Sequence, residues 1–346
     1  MSGQPVCESR SPHELYMQPV DRADPTATQI ETTPCEVCGR QSVHPVFSLP
    51  GTRFITMQCN HCGLGSLCPS PTLDEISSFY PPHYYGSEGR KFFGVIERLV
   101  RWVGARHARF FANQIRPGGR FLDIGCGRGI TLHALADAGF QVHGFEVCAD
   151  AVEGVDSRIQ IRVAPSLAEA AFPEQFFDEA ILWHVLEHIP HPRATLREVH
   201  RILKPGGVLI VAVPNFSSWQ ARWTGPAWFH LDPPRHLFHF PLSGLKQLLE
   251  SVGFHCSTEH HFSLRQNPFG WIQSVLNLCH WLPRNGLYVI LHRAHGSMRP
   301  FTMWTRIQLW MLCWLLTPFA LVLSVIEALF RQGATVHVVA YKGSNN

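Results

Sequence analysis

The sequence predicts an α/β chain built on a parallel, doubly wound sheet, with a small cysteine-bearing module before it and an apolar helical insertion near its end. From Arg120 to Val213 short apolar runs alternate with helical patterns, which is how parallel strands joined by crossover helices read. Two Cys-x-x-Cys pairs stand upstream, and a stretch without any charge, Ile307 to Ile326, lies downstream.

At 346 residues the chain exceeds one average domain, so a core with appendages is expected. Net charge is only +3, which gives no general case for a nucleic-acid partner. Charged residues make up 16% against a typical quarter, so the excess apolar surface needs a place to go. Residues 1–30 are rich in Pro, Ser, Thr and Gln and lack an apolar core like that of a signal peptide, which predicts a disordered, cytoplasmic leader. Among eleven cysteines, four sit in paired knuckles, favouring metal over disulfides in a reducing compartment.

The knuckles define a module over 31–70. Cys35-Glu-Val-Cys38-Gly39 and Cys59-Asn-His-Cys62-Gly63 place four thiolates on two tight turns, the pattern of a zinc ribbon with one tetrahedral Zn2+. Cys68 and His61 are spare ligands. Four protein ligands leave no open position, so the metal is structural or serves docking. Residues 71–119 follow as an aromatic cap and a helix. The run Phe79-Tyr-Pro-Pro-His-Tyr-Tyr85-Gly makes a shaped loop, either covering a ligand or packing on the sheet. Phe92 to Ile115 reads as a helix with Phe93, Ile96, Leu99, Val100 and Val103 on one stripe.

The core, 120–263, opens on Arg120-Phe-Leu-Asp-Ile-Gly-Cys-Gly-Arg-Gly129. Phe121, Leu122 and Ile124 read as a buried strand that breaks into a glycine turn, and Ile130 to Ala138 as the helix after it, stopped by Gly139. Strand, glycine turn and helix make the nucleoside corner of an open α/β sheet. A dinucleotide turn wants Gly-x-Gly-x-x-Gly; here Gly125, Gly127 and Gly129 alternate. Asp123 just before the turn repels a polyphosphate but attracts an ammonium or sulfonium cation. S-adenosylmethionine carries both. Glu146 stands at the end of the next strand, where a carboxylate can take both ribose hydroxyls.

On these residues the chain resembles the class I S-adenosylmethionine-dependent methyltransferases. The resemblance implies a Rossmann-like, seven-stranded sheet. It places Asp123, Gly125, Cys126, Gly127 and Gly129 at the methionine end of the cofactor, Glu146 at the ribose, and Ser166 and Leu167 near the adenine. Strands are expected at 120–124, 141–146, 159–163, 177–183 and 207–213, the last behind a Pro-Gly-Gly turn also found in the family. A helix over 241–252 leads to a sixth strand at Phe254.

The seventh strand is delayed to Ala334–Lys342, within the closing segment 333–346. Between lies the insertion, 264–332. Its charge-free stretch is long enough to cross a bilayer, yet a single crossing fails because the seventh strand must return to the same sheet. A re-entrant or interfacial helical hairpin bent near Pro318 is therefore expected, with Trp271, Trp281, Trp304, Trp310 and Trp314 at headgroup depth. From His260 to Ile326 there are five arginines (Arg265, Arg284, Arg293, Arg299, Arg306) and no acid, which suits an anionic cytoplasmic leaflet. A buried helical pair inside a soluble dimer would read the same way.

Methyl transfer from a sulfonium needs an aligned acceptor and removal of its proton. Trp183-His184-Val-Leu-Glu187-His188-Ile-Pro190 is similar to a signature of bacterial methyltransferases acting on small molecules and surface-glycan precursors. His184 and His188 are candidate general bases, with His184 also able to reach the cofactor. Asp232-Pro-Pro-Arg235-His236 is similar to a motif that closes over the acceptor in that group, so Asp232 and His236 join the catalytic candidates. These relatives imply O-methylation of a glycan, lipid-linked or other amphiphilic acceptor by an enzyme held at the inner face of the cell membrane. Two other readings stay open: a soluble nucleotide-sugar C-methyltransferase, and a membrane adaptor with a vestigial cofactor fold.

Overall fold

The computed structural model describes residues 19–24, 34–50, 52–80, 106, 108–114, 117–291 and 301–343. The tyrosine-rich stretch beyond Tyr80, most of the helix expected over 92–115, and Arg293 and Arg299 lie outside them.

The central sheet has seven strands: β5 (Arg120–Ile124), β6 (Gln141–Glu146), β7 (Gln160–Val163), β8 (Phe177–Trp183), β9 (Leu203–Pro214), β11 (Phe254–His260) and β12 (Thr335–Lys342). Their order is β11-β12-β9-β8-β5-β6-β7. Neighbours from β9 to β7 are parallel, while β12 runs antiparallel to both β9 and β11. The expected fold class is met, and so is the delayed last strand. Strands buried on both faces need apolar side chains throughout. Phe121, Leu122, Ile181, Leu182, Ile210 and Val211 supply them, each contributing roughly 1.5–3 kcal/mol by leaving water.

Helices Ile130–Asp137, Pro192–Ile202 and Leu242–Ser251 pack on this sheet, as do the helical residues 108–112 through Ala108 and Phe111. A full helix after every strand does not form. Between β6 and β7 there is only a 3-10 turn at Ala149–Val152, and between β7 and β8 no helix at all.

A second sheet holds β1 (Asp21–Arg22), β2 (Val43–Ser48), β3 (Ile55–Cys59), β4 (Gly65–Cys68) and β10 (Phe238–His239). Two expectations are corrected by it. Part of the leader predicted as disordered is a strand, because Asp21 and Arg22 pair with Ser48 and Phe47 and carry buried Val20 against Phe47. The cysteine module also shares a sheet with the core, since β10 comes from the loop after β9 and pairs with β4.

The insertion forms three described helices: Gln266–Leu278, Gly286–Leu291 and Met303–Leu329, named α6, α7 and α8 with α1–α5 the preceding helices Leu73–Ser78, Ile130–Asp137, Pro192–Ile202, Trp219–Thr224 and Leu242–Ser251. The expected bend at Pro318 is absent, and α8 runs 27 residues through it. Proline forfeits one internal hydrogen bond, too little to break a helix held along its length by Leu309, Cys313, Leu316 and Ala320 against α6. Trp271 is buried in that contact, while Trp281, Trp304, Trp310 and Trp314 are exposed.

Candidate active site

The glycine corner is built as its chemistry requires. Gly125, Gly127 and Gly129 adopt φ of 74°, 48° and 64°, a region that side chains reach only with strain. At Gly125 a Cβ would also lie 2.6 Å from Val185 Cγ2, so glycine is needed there on two counts. Glu146 Oε2 accepts from the Gly127 N–H at 3.0 Å, and Oε1 accepts from the N–H groups of Val147 and Cys148. The carboxylate thereby fixes the turn and still has lone pairs for a ribose.

Asp123 is buried at the end of β5. Burial, and secondarily the neighbouring Glu146 carboxylate, pushes its pKa up to about 8. A cationic ligand end would offset both effects, so the corner fits S-adenosylmethionine. Cys126 is buried behind the turn, and its thiol is pushed far up by burial. Ser166 donates to Glu169 at 2.7 Å, and Leu167 is buried in the core; neither side chain is spent on a strand.

The second half of the site gathers at the end of β8. His184 takes φ of 55°, a conformation that costs a non-glycine residue on the order of 1–2 kcal/mol. Its Nδ1 faces Glu187 Oε1 at 3.3 Å, and its Nε2 is enclosed with no partner. Burial, then the charge of Arg265, brings its pKa down to about 3. Burial thus holds the ring in its neutral form at pH 7.

His188 and His236 lie together, ring centroids 4.6 Å apart. Nδ1 of His188 faces the Arg235 carbonyl at 2.9 Å and the Tyr80 hydroxyl at 2.8 Å. A carbonyl only accepts, so Nδ1 carries the hydrogen and Nε2 is bare. His236 Nδ1 likewise donates to the His230 carbonyl at 2.8 Å, leaving Nε2 bare 3.8 Å from Asp232 Oδ2. Asp232 holds Arg235 through Oδ1 at 2.6 Å. Burial lowers the pKa of both histidines and raises that of Glu187 to about 7.

The match to known proteins falls on this same stretch. Residues 96–259 match the family model of a methyltransferase domain. That stretch, just under half of the chain, is thus similar to a methyltransferase domain. The ubiquinone biosynthesis O-methyltransferase of Xanthomonas campestris pv. campestris (strain B100) is 34% identical over 106 residues, covering 29% of this chain and 44% of the relative. That of Pseudomonas entomophila (strain L48) is 35% identical over 125 residues, covering 34% of this chain and 50% of the relative. The chain thus spans half or less of the length of these curated relatives. Among solved structures, a SAM dependent methyltransferase from Archaeoglobus fulgidus aligns with TM-score 0.46 and 16% identity, over 70% of this chain and 94% of its own.

The sequence reading missed two contacts around His188 and His236. Tyr80 belongs to the aromatic run noted in the sequence, but its bond to His188 bridges 108 positions and leaves no local signal. Strand β10 carries His236 into place: Leu237 donates to the Glu187 carbonyl at 2.8 Å, and Leu67 in β4 donates to the Leu237 carbonyl. Arg193, at the start of α3, donates to the carbonyls of Glu36 and Val37 in the first knuckle.

The knuckles bring the sulfurs of Cys35, Cys38, Cys59 and Cys62 within 4.8 Å of one another. Cys35 to Cys62 is 3.4 Å and Cys38 to Cys59 is 3.6 Å. Tetrahedral bonds of about 2.3 Å set thiolates about 3.8 Å apart, so the four could hold zinc with small adjustments.

Proposed function

We propose that the chain is an S-adenosylmethionine-dependent O-methyltransferase for a lipid-linked, glycan or other amphiphilic acceptor at the cytoplasmic membrane face, with structural zinc in its N-terminal module. The observation that carries this reading is the corner where buried Asp123 and Glu146 flank a turn of three left-handed glycines. Two neighbouring carboxylates call for a cationic ligand with hydroxyls.

When bound, S-adenosylmethionine supplies a methyl group already activated on sulfur. Asp123 then holds the amino end, and Glu146 holds the ribose. Val185, against Gly125, leads within two residues to Glu187, so the acceptor cluster sits beside the methionine end. The bare Nε2 atoms of His188 and His236 and the carboxylates of Glu187 and Asp232 are electron-pair donors that draw the acceptor's hydroxyl proton. Curated relatives named for O-methylation support transfer to oxygen.

Membrane attachment is supported by α8. It is long and apolar enough to cross a membrane by length and composition. Its buried side is nevertheless committed to α6 and α7, so the exposed side suits an interface. Calorimetric titration of the detergent-solubilised full chain with S-adenosylmethionine tests the central claim, with Glu146→Gln as control, followed by transfer of labelled methyl to membrane extracts. Saturable binding lost in the control, with label in the lipid fraction, is expected. Absence of binding by the folded chain would overturn the reading in favour of the adaptor.

A further inference from the structure

We infer that Glu187, His188 and His236 bind a divalent transition-metal cation at a site distinct from the four cysteines. One carboxylate oxygen and two ring nitrogens from these residues lie within 4.8 Å of one another. They come from two places in the chain, a 3-10 turn after β8 and the loop that ends in β10, which Leu237 locks together through the Glu187 carbonyl.

The three donors crowd electron pairs together in one small volume. Glu187 is 1% exposed, and its Oε2 has no hydrogen-bond partner. Nε2 of His236 is bare yet stands 3.8 Å from Asp232 Oδ2. Packing lone pairs together away from water is unfavourable unless a cation or a proton donor joins them. Each imidazole is also set up as a ligand, because its Nδ1–H rests on a backbone carbonyl, of Arg235 or His230. Such outer bonds fix the tautomer and aim Nε2 at a metal.

Two imidazoles and a carboxylate suit mid-row divalent ions such as Mn2+, Fe2+, Co2+ or Zn2+. Bonds of about 2.1 Å place ligand atoms about 3–4 Å apart, within reach of modest side-chain rotation here. Three protein ligands leave positions open. Resting on the methyltransferase reading, we assign one of them to the acceptor hydroxyl. With a cation bound, Glu187, His188 and His236 serve as ligands in place of proton acceptors: coordination lowers the hydroxyl's pKa, its proton leaves to water, the oxygen forms the new bond to the methyl carbon, and the carbon–sulfur bond breaks to give neutral S-adenosylhomocysteine.

The test uses the full chain loaded with a single equivalent of zinc, which the four thiolates take, then titrated with MnCl2 and followed by electron paramagnetic resonance, because Mn2+ prefers oxygen and nitrogen over thiolates. One equivalent should bind, and pulsed spectra of the parent protein should show coupling to imidazole nitrogens. Glu187→Gln and His236→Gln should weaken Mn2+ at least about tenfold while S-adenosylmethionine binds as in the parent. Absence of saturable Mn2+, or Mn2+ without nitrogen coupling, overturns the site. S-adenosylmethionine binding without Mn2+ sinks only the metal, whereas Mn2+ binding without S-adenosylmethionine sinks the methyltransferase reading and leaves the site standing.

Discussion

At the scale of single residues, Asp123 sets stability against binding. Its ordinary pKa of 3.8 rises to about 8 in the fold. Between those values the unfolded chain has released the proton and the folded chain still holds it, so unfolding releases protons and stability falls as pH rises. Asp123→Asn removes that liability. The ligand-free variant should melt several degrees above the parent near pH 8, a gap that closes towards pH 4, while its S-adenosylmethionine affinity drops at least about tenfold. Melting curves across that range, with calorimetry at pH 7.5, check both halves; a variant that melts lower at pH 8 would remove the argument. For the parent, affinity should climb with pH until about 8, because the cofactor's cations favour the ionised carboxylate. Asp123, Glu146 and the glycines were legible in the sequence because a tight turn and a cationic ligand demand those residue types locally. The φ of His184 and the bonds of His188 were not, since both depend on partners far along the chain.

At the scale of elements, strands were easier to read than what joins them. Runs such as Val208 to Val213 are apolar on both faces and end at glycine or proline, so they announce buried strands. The two-residue strand β10 carries no periodicity to detect, and Pro318 suggested a bend that packing against α6 overrides. Helix α8 itself carries a testable division of labour. Leu309, Ala320, Ser324 and Glu327 face inward, and Glu327 accepts from Asn267 at 2.9 Å and Gln220 at 3.1 Å. Trp304, Met311, Trp314, Phe319, Val322 and Val325 face out. Because Trp304 and Trp314 are 65% and 75% exposed, replacing both with Ser should leave the melting temperature within a degree or two. With roughly 2 kcal/mol of transfer energy per side chain, the pair should lower partitioning onto vesicles containing anionic lipid by more than tenfold. Flotation that is unchanged in the double variant would exclude this face as the membrane contact.

At the scale of the whole molecule, the cysteine module is wired to the loop that holds His236 and away from the glycine corner. Its strand β4 pairs with β10, which begins two residues after His236, and its first knuckle is held by Arg193. The glycine turn and Glu146 sit instead at the ends of β5 and β6, on the opposite side of β8 from β9. Structural zinc contributes roughly 10 kcal/mol or more to the folding of small modules, so its loss should loosen β4 and β10 together. Cys35→Ser with Cys62→Ser should therefore abolish zinc, lower methyl transfer by about tenfold or more through the displaced His236, and leave S-adenosylmethionine affinity within about twofold. Substitution serves better than chelation here, because a chelator would also strip a cation from Glu187, His188 and His236. Zinc content, calorimetry and transfer rate measured on one preparation decide the matter. Parallel loss of cofactor binding and turnover would mean that the module supports the entire fold, and full turnover without zinc would mean that β10 holds the acceptor loop unaided.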